Sequence, residues 1–410
     1  MLRQRYVVAL TVAGLVAAVA AASPASPGRA ATRSTGTALQ RALDRLVAMP
    51  SGPPGVIVIV QHGGSRTVYR AGTASLPHPR PPTIADHDRL ASVSKAFSGA
   101  VTLHEVSRRR LRLADTIGHI LPALPRRWHR VSLRELLQHR SGLPDFTTSP
   151  GFVRHLRRTP RRSVLPMRLL RWVWHAPLQF RPGTRYKYDN TDNVVAAMMA
   201  RSVTHRRYRP LLHTLVYQPA GLHQTRLPAG PRMPRPFLHG YSLRPGQPPE
   251  DDSEVLAAGL AWASGGIVST PADANAFIRA YLGLRFFSRR TQQAQLRFVP
   301  GSSEPPGPGT NAAGLAIFRY RTRCGTVYGH TGNIFGYTQF AAASKDGTDS
   351  VTATATEQLA PGLHSHVFAA LRHAELLAVC AATAARPHVL VTHWQITAGR
   401  AMIRRAIWSP

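Results

Sequence analysis

Apolar side chains near the start of the chain recur with helical spacing. Residues 39–47 carry four of them on one face, and Pro50 ends the pattern, which predicts an amphipathic helix. Thr37 and Gln40 have the spacing of a capping box, so this helix is expected to begin at Thr37.

Strand patterns follow this helix and return late in the chain. The β-branched run 56–60 and the segment 67–70 flank a glycine pair, which predicts a β-hairpin. A final helical pattern covers residues 363–380. The late segments with strand character are residues 314–320, 335–343 and 350–356.

The middle of the chain, from about residue 86 to 283, is predicted to be helical with long loops, and Ser132 and Glu135 form a second capping box there. Strands come from both ends, about 37–85 and 284–380, so they are expected to combine into one antiparallel sheet flanked by the terminal helices. The sequence therefore predicts an α/β fold with an inserted all-helical domain.

The first 22 residues are typical of an export signal, because Arg3 and Arg5 precede an apolar run that ends in small residues. An uncleaved membrane anchor is the alternative, but the run is short for a span and rich in alanine. We therefore expect a secreted protein with a linker at 23–36 and no later membrane span. Residues 381–410 form a basic extension without a clear assignment.

Cys324 and Cys380 are the only cysteines. An oxidising compartment favours a disulfide between them, and two buried free thiols are the alternative. By the loop-entropy argument, a crosslink over so long a loop contributes roughly 4 kcal/mol of stability, less any strain.

The formal net charge is +33, and its basic residues are scattered along the chain. Nucleic-acid binding is disfavoured because no recognised motif accompanies the charge. An anionic surface such as cell-wall polymer or lipid headgroups suits an exported protein better, and arginine-rich composition without a partner is the alternative. His104-Glu105 lacks the second histidine of the HExxH zinc motif, so we predict neither a metal nor another cofactor.

Only three of the 52 basic residues are lysines, and Lys95 is one of them. Arginine does not release its proton in proteins, whereas a buried lysine can become neutral and act as a base. Lys95 follows Ser92 by three residues at the predicted start of a helix, where the two side chains share a face. Ser92 is therefore a candidate nucleophile with Lys95 as its proton acceptor, although this spacing also arises by chance.

A second motif, Tyr188-x-Asn190, follows a Pro-Gly turn before a predicted helix. The tyrosine could shuttle a proton, and the asparagine amide could hold both a substrate carbonyl and the lysine. A surface tyrosine and an asparagine helix cap are the alternative.

The third motif is His330-Thr331-Gly332, at the start of the predicted strand 335–343. A cation, a hydroxyl and a residue without a side chain would line an edge strand, and a substrate peptide could pair with its main chain. Standing alone, His330 would be interpreted as a structural histidine.

In this order the three motifs resemble those of the penicillin-recognising serine hydrolases, in which Ser-x-x-Lys is the first. Segment 136–144 also resembles a loop of this family. Segments 328–337 and 343–347 are similar in particular to the secreted D-alanyl-D-alanine carboxypeptidases of actinomycetes. The resemblance spans roughly residues 37–380, and the two cysteines fall where those enzymes have a disulfide.

The resemblance implies an α/β domain and an all-helical domain with the active site between them. Ser92 would attack the carbonyl of a terminal D-Ala-D-Ala bond, and Lys95 would accept its proton directly or through Tyr188. Tyr188 would then protonate the leaving amine.

The remaining roles also come from the resemblance. Backbone N–H groups of Ser92 and Asn333 would form the oxyanion hole. Asn190 and Thr331 would orient the substrate, and His330 would replace the lysine of the commoner Lys-Thr-Gly form.

One position departs from the family pattern. An arginine on the strand before the third motif binds the substrate carboxylate in those carboxypeptidases, but Phe318 occupies that position here, with Arg319 beside it. Alternation on a strand sends the two side chains to opposite faces. Either the register differs and Arg319 binds the substrate, or another basic residue does so, or the substrate lacks the carboxylate.

The sequence as a whole indicates a secreted serine D-alanyl-D-alanine carboxypeptidase that acts on peptidoglycan stem peptides and is acylated by β-lactams. An esterase or β-lactamase of the same fold is the alternative, since it would share all three motifs. A weakly catalytic cell-wall-binding protein is a further alternative, supported by the net charge of +33 and the basic extension.

Overall fold

The structure is a computed structural model that describes residues 27–362 and 364–384. Its strands are β1 (Gly55–His62), β2 (Ser65–Gly72), β3 (Asp88–Arg89), β4 (Tyr241–Ser242), β5 (Glu250–Asp251), β6 (Val268–Ser269), β7 (Thr310–Ala313), β8 (Phe318–Thr322), β9 (Gly325–Ile334), β10 (Tyr337–Ala343) and β11 (Ser350–Ala355).

Helices surround these strands and fill the middle of the chain. They are α1 (Pro27–Ala48), α2 (Ser94–Ser107), α3 (Ile117–Ile120), α4 (Leu133–Leu137), α5 (Pro150–Arg158), α6 (Pro166–Arg171), α7 (Thr191–Thr204), α8 (Tyr208–Leu212), α9 (Gln218–Ala220), α10 (Pro271–Leu282), α11 (Arg289–Gln295) and α12 (Ser365–Thr383).

The main sheet joins the two ends of the chain, as predicted. Its order is β2-β1-β11-β10-β9-β8-β7, and neighbouring strands are antiparallel. The predicted hairpin is β1–β2, and β1 pairs with β11 from Val56 opposite Ala355 to Gln61 opposite Ser350. Strands β1, β10 and β11 are buried almost throughout, because helices cover both faces of the sheet.

Successive side chains of β10 point to opposite faces of the sheet, so this strand contributes to two separate apolar cores. Phe340 and Ala342 pack with residues of α1 and α12, including Leu43 and Leu371, on one face of the sheet. Ala341 and Ala343 face the larger core, which α2, α4, α7, α8 and α10 supply. The predicted disulfide between Cys324 and Cys380 is confirmed, and it links the turn after β8 to α12.

Three boundaries differ from the prediction. α1 begins at Pro27, so Thr37 is not its cap and much of the predicted linker 23–36 is helical. The alanines of that segment favour helix, and a proline is tolerated in the first turn. α10 packs against β10 and β11, so the sheet-packing part of the chain resumes near 271 rather than 284.

The third difference concerns the His-Thr-Gly motif. It lies within β9, a separate strand, and not at the start of β10. The pattern missed β9 because glycine, threonine and asparagine dominate it, and only its pairing with β8 and β10 defines it as a strand. β7 was missed for the same reason.

Two other predictions concern segments at the chain ends. The predicted signal at 1–22 and nearly all of the basic extension 381–410 lie outside the described residues. Within the described residues, no helix combines the length and apolar character that a membrane crossing requires.

Candidate active site

Ser92 occupies a tight turn between β3 and α2. It lies in the single 3-10 turn Ala91–Val93, which runs directly into α2. Ala91 has a φ of 47°, a left-handed conformation that is unfavourable for a residue with a Cβ atom. Strain of this kind is typical of functional sites.

Gly332 allows β9 to lie close to this turn. A Cβ atom at Gly332 would lie 2.4 Å from the carbonyl oxygen of Leu90 and 3.2 Å from the Cβ of Ala91. A side chain there would therefore push the third motif away from the nucleophile. This close contact explains sterically why the third residue of the His-Thr-Gly motif is glycine.

The Lys95 ammonium is the centre of the site. It is fully buried, and its Nζ lies 3.0 Å from Ser92 Oγ, 2.7 Å from Asn190 Oδ1 and 2.9 Å from the Ser264 carbonyl oxygen. Burial lowers the pKa of Lys95 to about 7, against the opposing pull of Asp145 and other carboxylates. A large fraction of Lys95 is thus neutral at pH 7 and can accept the Ser92 proton.

Asp145 orients the amide of Asn190. Its Oδ2 accepts hydrogen bonds from the Asn190 backbone N at 3.1 Å and from Nδ2 at 2.9 Å. The amide oxygen of Asn190 is consequently the atom that faces Lys95. Asp145 was not predicted as a site residue, although it directly follows the Ser-Gly-Leu-Pro segment noted in the sequence.

Tyr188 lies beside both catalytic groups. Lys95 Nζ is 4.7 Å from the centre of the Tyr188 ring. The hydroxyl is buried without a hydrogen bond of ordinary geometry. Burial raises the pKa of Tyr188 well above its usual value, and an interaction with Ser92 offsets part of that rise. Tyr188 is therefore held toward its neutral form, a phenol that can relay a proton.

His330 is buried and uncharged, which corrects the expectation of a cation at this position. Burial and the neighbouring Lys95 lower the pKa of His330 to about 3. Its Nδ1 lies 2.5 Å from the Thr331 carbonyl oxygen, and its ring is 6.2 Å from that of Tyr188. His330 packs behind the site, while Thr331 and Asn333 of the same strand reach the cavity.

A buried pair lies beneath Tyr188. His139 Nδ1 is 3.1 Å from Asp192 Oδ2, and the His139 ring is 4.6 Å from the Tyr188 ring. Burial lowers the pKa of His139 and raises that of Asp192, so both groups are held toward their neutral forms. Asp189 is raised in the same way. The residues beneath the site therefore carry little negative charge that would keep Lys95 protonated.

The site lies beside a cavity of about 490 Å³. Its polar lining includes Ser92, Thr147, Tyr188, Asn190, Thr331 and Asn333. Its apolar lining includes Phe152, Leu156, Leu256, Leu260, Ile334 and Phe335. The structure thus brings residues of all three motifs to one cavity, as the resemblance implied.

Arg319 is not part of this cavity. Its guanidinium carbon lies 4.7 Å from the centre of the Phe298 ring, on the face of β8 opposite Phe318. Phe318 instead packs 5.0 Å from the His330 ring. The arginine that does line the cavity is Arg372 of α12, which no sequence motif marked. Among the described residues, no cluster of acidic, histidine or cysteine side chains is arranged to hold a metal ion.

Comparison with known proteins shows the family of this chain. The protein family described as Beta-lactamase matches residues 39–362, and the chain belongs to that family. The resemblance to penicillin-recognising serine hydrolases and the predicted fold class are thereby confirmed.

Several relatives hydrolyse amide bonds, according to their names. The chain is 30% identical over 210 residues to a D-aminopeptidase of Cereibacter sphaeroides, which covers 50% of this chain and 39% of the relative. It is 24% identical to the D-alanyl-D-alanine-carboxypeptidase/endopeptidase AmpH of Escherichia coli, covering 60% of this chain and 62% of that protein. The chain thus spans about two fifths of the D-aminopeptidase and three fifths of AmpH.

Solved structures match over a larger share of the chain. A D-stereospecific amidohydrolase from Streptomyces sp. superposes with a TM-score of 0.72 at 27% identity, covering 82% of this chain and 98% of that one. D-amino acid amidase from Ochrobactrum anthropi, at 24% identity and a TM-score of 0.74, shares the fold over 85% of this chain and 98% of its own.

Proposed function

We propose that this protein is a serine hydrolase that removes the terminal D-alanine from peptides ending in D-Ala-D-Ala. The observation that carries the proposal is the hydrogen bond between Lys95 Nζ and Ser92 Oγ, in a site where burial lowers the pKa of the lysine to about 7. A deprotonated amine at hydrogen-bond distance from a serine hydroxyl is the arrangement that activates a nucleophile.

In the acylation step, Ser92 Oγ forms a bond to the substrate carbonyl carbon while its proton moves to Lys95. The tetrahedral intermediate collapses when the carbon–nitrogen bond breaks and the leaving amine takes a proton from Lys95, directly or through the Tyr188 hydroxyl. Water then attacks the acyl-enzyme, and its proton follows the same route back until Ser92 is restored. β-Lactams would acylate Ser92 by the same first step.

A peptide substrate suits the edge of β9. Residues 330–334 pair with β10, whereas the described pairing of β9 with β8 stops at Gly329. The main chain of this segment is therefore open toward the cavity that Ser92 lines, where an extended peptide can add as a further strand.

A second candidate is a D-amino acid amidase or aminopeptidase, which the names of the relatives favour. Such substrates carry a free ammonium close to the scissile bond. Among the described residues that line the cavity none is acidic, so no carboxylate stands ready to bind that ammonium. This observation favours substrates with a blocked amine.

One set of substrates separates these activities. D-Alanine release from diacetyl-Lys-D-Ala-D-Ala would be compared with hydrolysis of D-phenylalanine amide, a short ester and a chromogenic cephalosporin. The proposal expects the highest kcat/KM for the tripeptide and none in Ser92→Ala. Preference for the free amide, the ester or the cephalosporin would replace it with the amidase, esterase or β-lactamase function.

A largely non-catalytic role on the cell wall remains the contrasting hypothesis. Binding of Ser92→Ala protein to purified cell wall, with loss of binding as salt rises, would support attraction to anionic polymers. Intact protein that gains no mass with any β-lactam or activated ester would favour this role over the enzyme.

We further propose that the protein is exported and meets peptidoglycan outside the cell. The apolar segment at the start of the chain supports this. N-terminal sequencing of protein recovered from the culture medium tests it, since cleavage near Ala22 is expected and an intact first residue would contradict it.

A further inference from the structure

Arg372 stands out among the groups that surround the cavity. It lies in α12, one turn after Phe368, and both side chains line the cavity together with Ser92. Of the described lining residues, Arg372 carries the single formal charge. An apolar wall with one cation is suited to a substrate that is apolar over most of its length and carries one anionic group.

The guanidinium is held in place from two sides. Its Nη1 lies 2.5 Å from Glu375 Oε2, and its Cζ lies 4.6 Å from the centre of the Phe368 ring. Burial raises the pKa of Glu375, and Arg372 offsets part of that rise. A planar cation fixed by an ion pair and an aromatic face loses little rotamer freedom when it binds a ligand.

Arg372 also has hydrogen-bonding capacity in reserve. A guanidinium has five N–H donors, and the Glu375 contact uses one nitrogen. Nε is buried and has no hydrogen-bond partner in the described structure. A buried donor without a partner costs free energy, and a carboxylate of the substrate would bring acceptors to this guanidinium.

Arg372 can supply the positive charge that β8 lacks at Phe318. Burial raises the pKa of Tyr320, and the positive charge of Arg372 and an interaction with Thr331 both offset that rise. Arg372 and Thr331 also line the same cavity. The terminal helix thus supplies a cation to the cavity wall, whereas neither arginine of β8 lines it.

We propose that Arg372 binds the carboxylate that terminates the substrate, and that it sets a preference for acyl compounds with an anionic end. This inference rests on the proposed peptidase function. It assigns to α12 the role that the strand residues do not fill, and it leaves Ser92, Lys95 and Tyr188 in their roles.

The test uses two matched substrate pairs. The first is diacetyl-Lys-D-Ala-D-Ala with a free carboxylate or a carboxamide end, and the second is an acyl-D-lactate ester with a free carboxylate or a methyl ester end. In Arg372→Gln, kcat/KM is expected to fall roughly 10- to 100-fold for the carboxylate members, the range for a charged hydrogen bond. The uncharged members should change less than about threefold.

Controls separate recognition from folding. Arg319→Gln removes an arginine that lies outside the cavity and should leave both members of each pair unchanged. Arg372→Gln/Glu375→Gln removes the buried pair together, so it avoids an isolated buried carboxylate and should retain the selective loss. Equal losses for charged and uncharged members in both Arg372 variants would overturn the proposal.

The ester pair also distinguishes the two hypotheses. If the peptides are not cleaved but the esters are, the peptidase function fails while the role of Arg372 is still measured. If the peptides are cleaved and Arg372→Gln shows no selectivity, the peptidase function stands and the role of Arg372 is refuted.

Discussion

The cavity joins two regions that are built in opposite ways. Around Ser92 the groups are polar, buried and bonded to one another, as Lys95 Nζ shows with three oxygen neighbours within 3.0 Å. The other region, which includes Phe335 and Phe368, is apolar, and Arg372 is the one charged side chain among the described residues that line it. The polar region determines which bond chemistry occurs, whereas the apolar region determines which molecules reach it. Changes in the first should alter kcat, and changes in the second should alter selectivity.

The largest effect is expected for Lys95→Arg. The charge is kept, but arginine does not deprotonate, so acylation should fall by about 10³-fold, within the range for loss of a general base. Intact-mass measurement with a β-lactam or an activated ester gives the rate. Lys187→Arg, the same substitution at an exposed lysine, should acylate normally. Normal acylation of Lys95→Arg would show that Lys95 is not the base.

Asp145→Asn tests the support of the polar region. In this variant the side chain at position 145 still accepts hydrogen bonds from Asn190, but it no longer carries a negative charge. We therefore expect kcat to fall about tenfold with little change in KM. Asp145 raises the pKa of Lys95, so the pH profile should also shift to lower pH. Asp115→Asn removes a carboxylate that accepts from the Arg112 backbone in a turn and should change neither quantity. A normal kcat in Asp145→Asn would refute the orienting role.

The pH dependence follows from the depressed pKa of Lys95. Lys95 is protonated below a pKa of about 7 and neutral above it, and only the neutral form accepts the Ser92 proton. The acylation rate should therefore fall about tenfold for each pH unit below 7 and level off above it. Stopped-flow acylation from pH 5 to 9 measures this profile. A rate that is constant down to pH 5 would contradict it.

Phe335→Ala probes the apolar region and should have the smallest effect. The side chain is 38% exposed, so its loss should cost substrate binding about 1 kcal/mol, or about fivefold in KM, with kcat unchanged. Leu165→Ala removes an exposed side chain outside the cavity and should have no effect. A fall in kcat rather than a rise in KM would break the division between the two regions.

Most of the polar region could be predicted from the sequence. Ser92 and Lys95 are neighbours on one helical turn, so local geometry alone brings them together. Tyr188 and Asn190 were predicted through a short motif, and the structure places them beside Lys95. His330 was predicted to be a cation that lines the site, whereas the structure places it behind the cavity lining with a lowered pKa. The pKa of a histidine depends on burial, which a motif does not reveal.

The apolar region could not be predicted in the same way. Arg319 was the candidate from sequence adjacency, whereas Arg372 lines the cavity from a helix more than thirty residues beyond the third motif. β9 was missed because strand pairing, not apolar patterning, defines it.

The sequence by itself determined that strands come from both chain ends, the order of the three motifs and the serine–lysine pair, since these depend on local spacing and on contrasts between apolar and polar residues. Only the tertiary structure decided that His330 is neutral, that Asp145 orients Asn190 and that Arg372 faces the cavity. Charge states and substrate-binding walls depend on which distant side chains pack together, and that packing is a property of the whole fold.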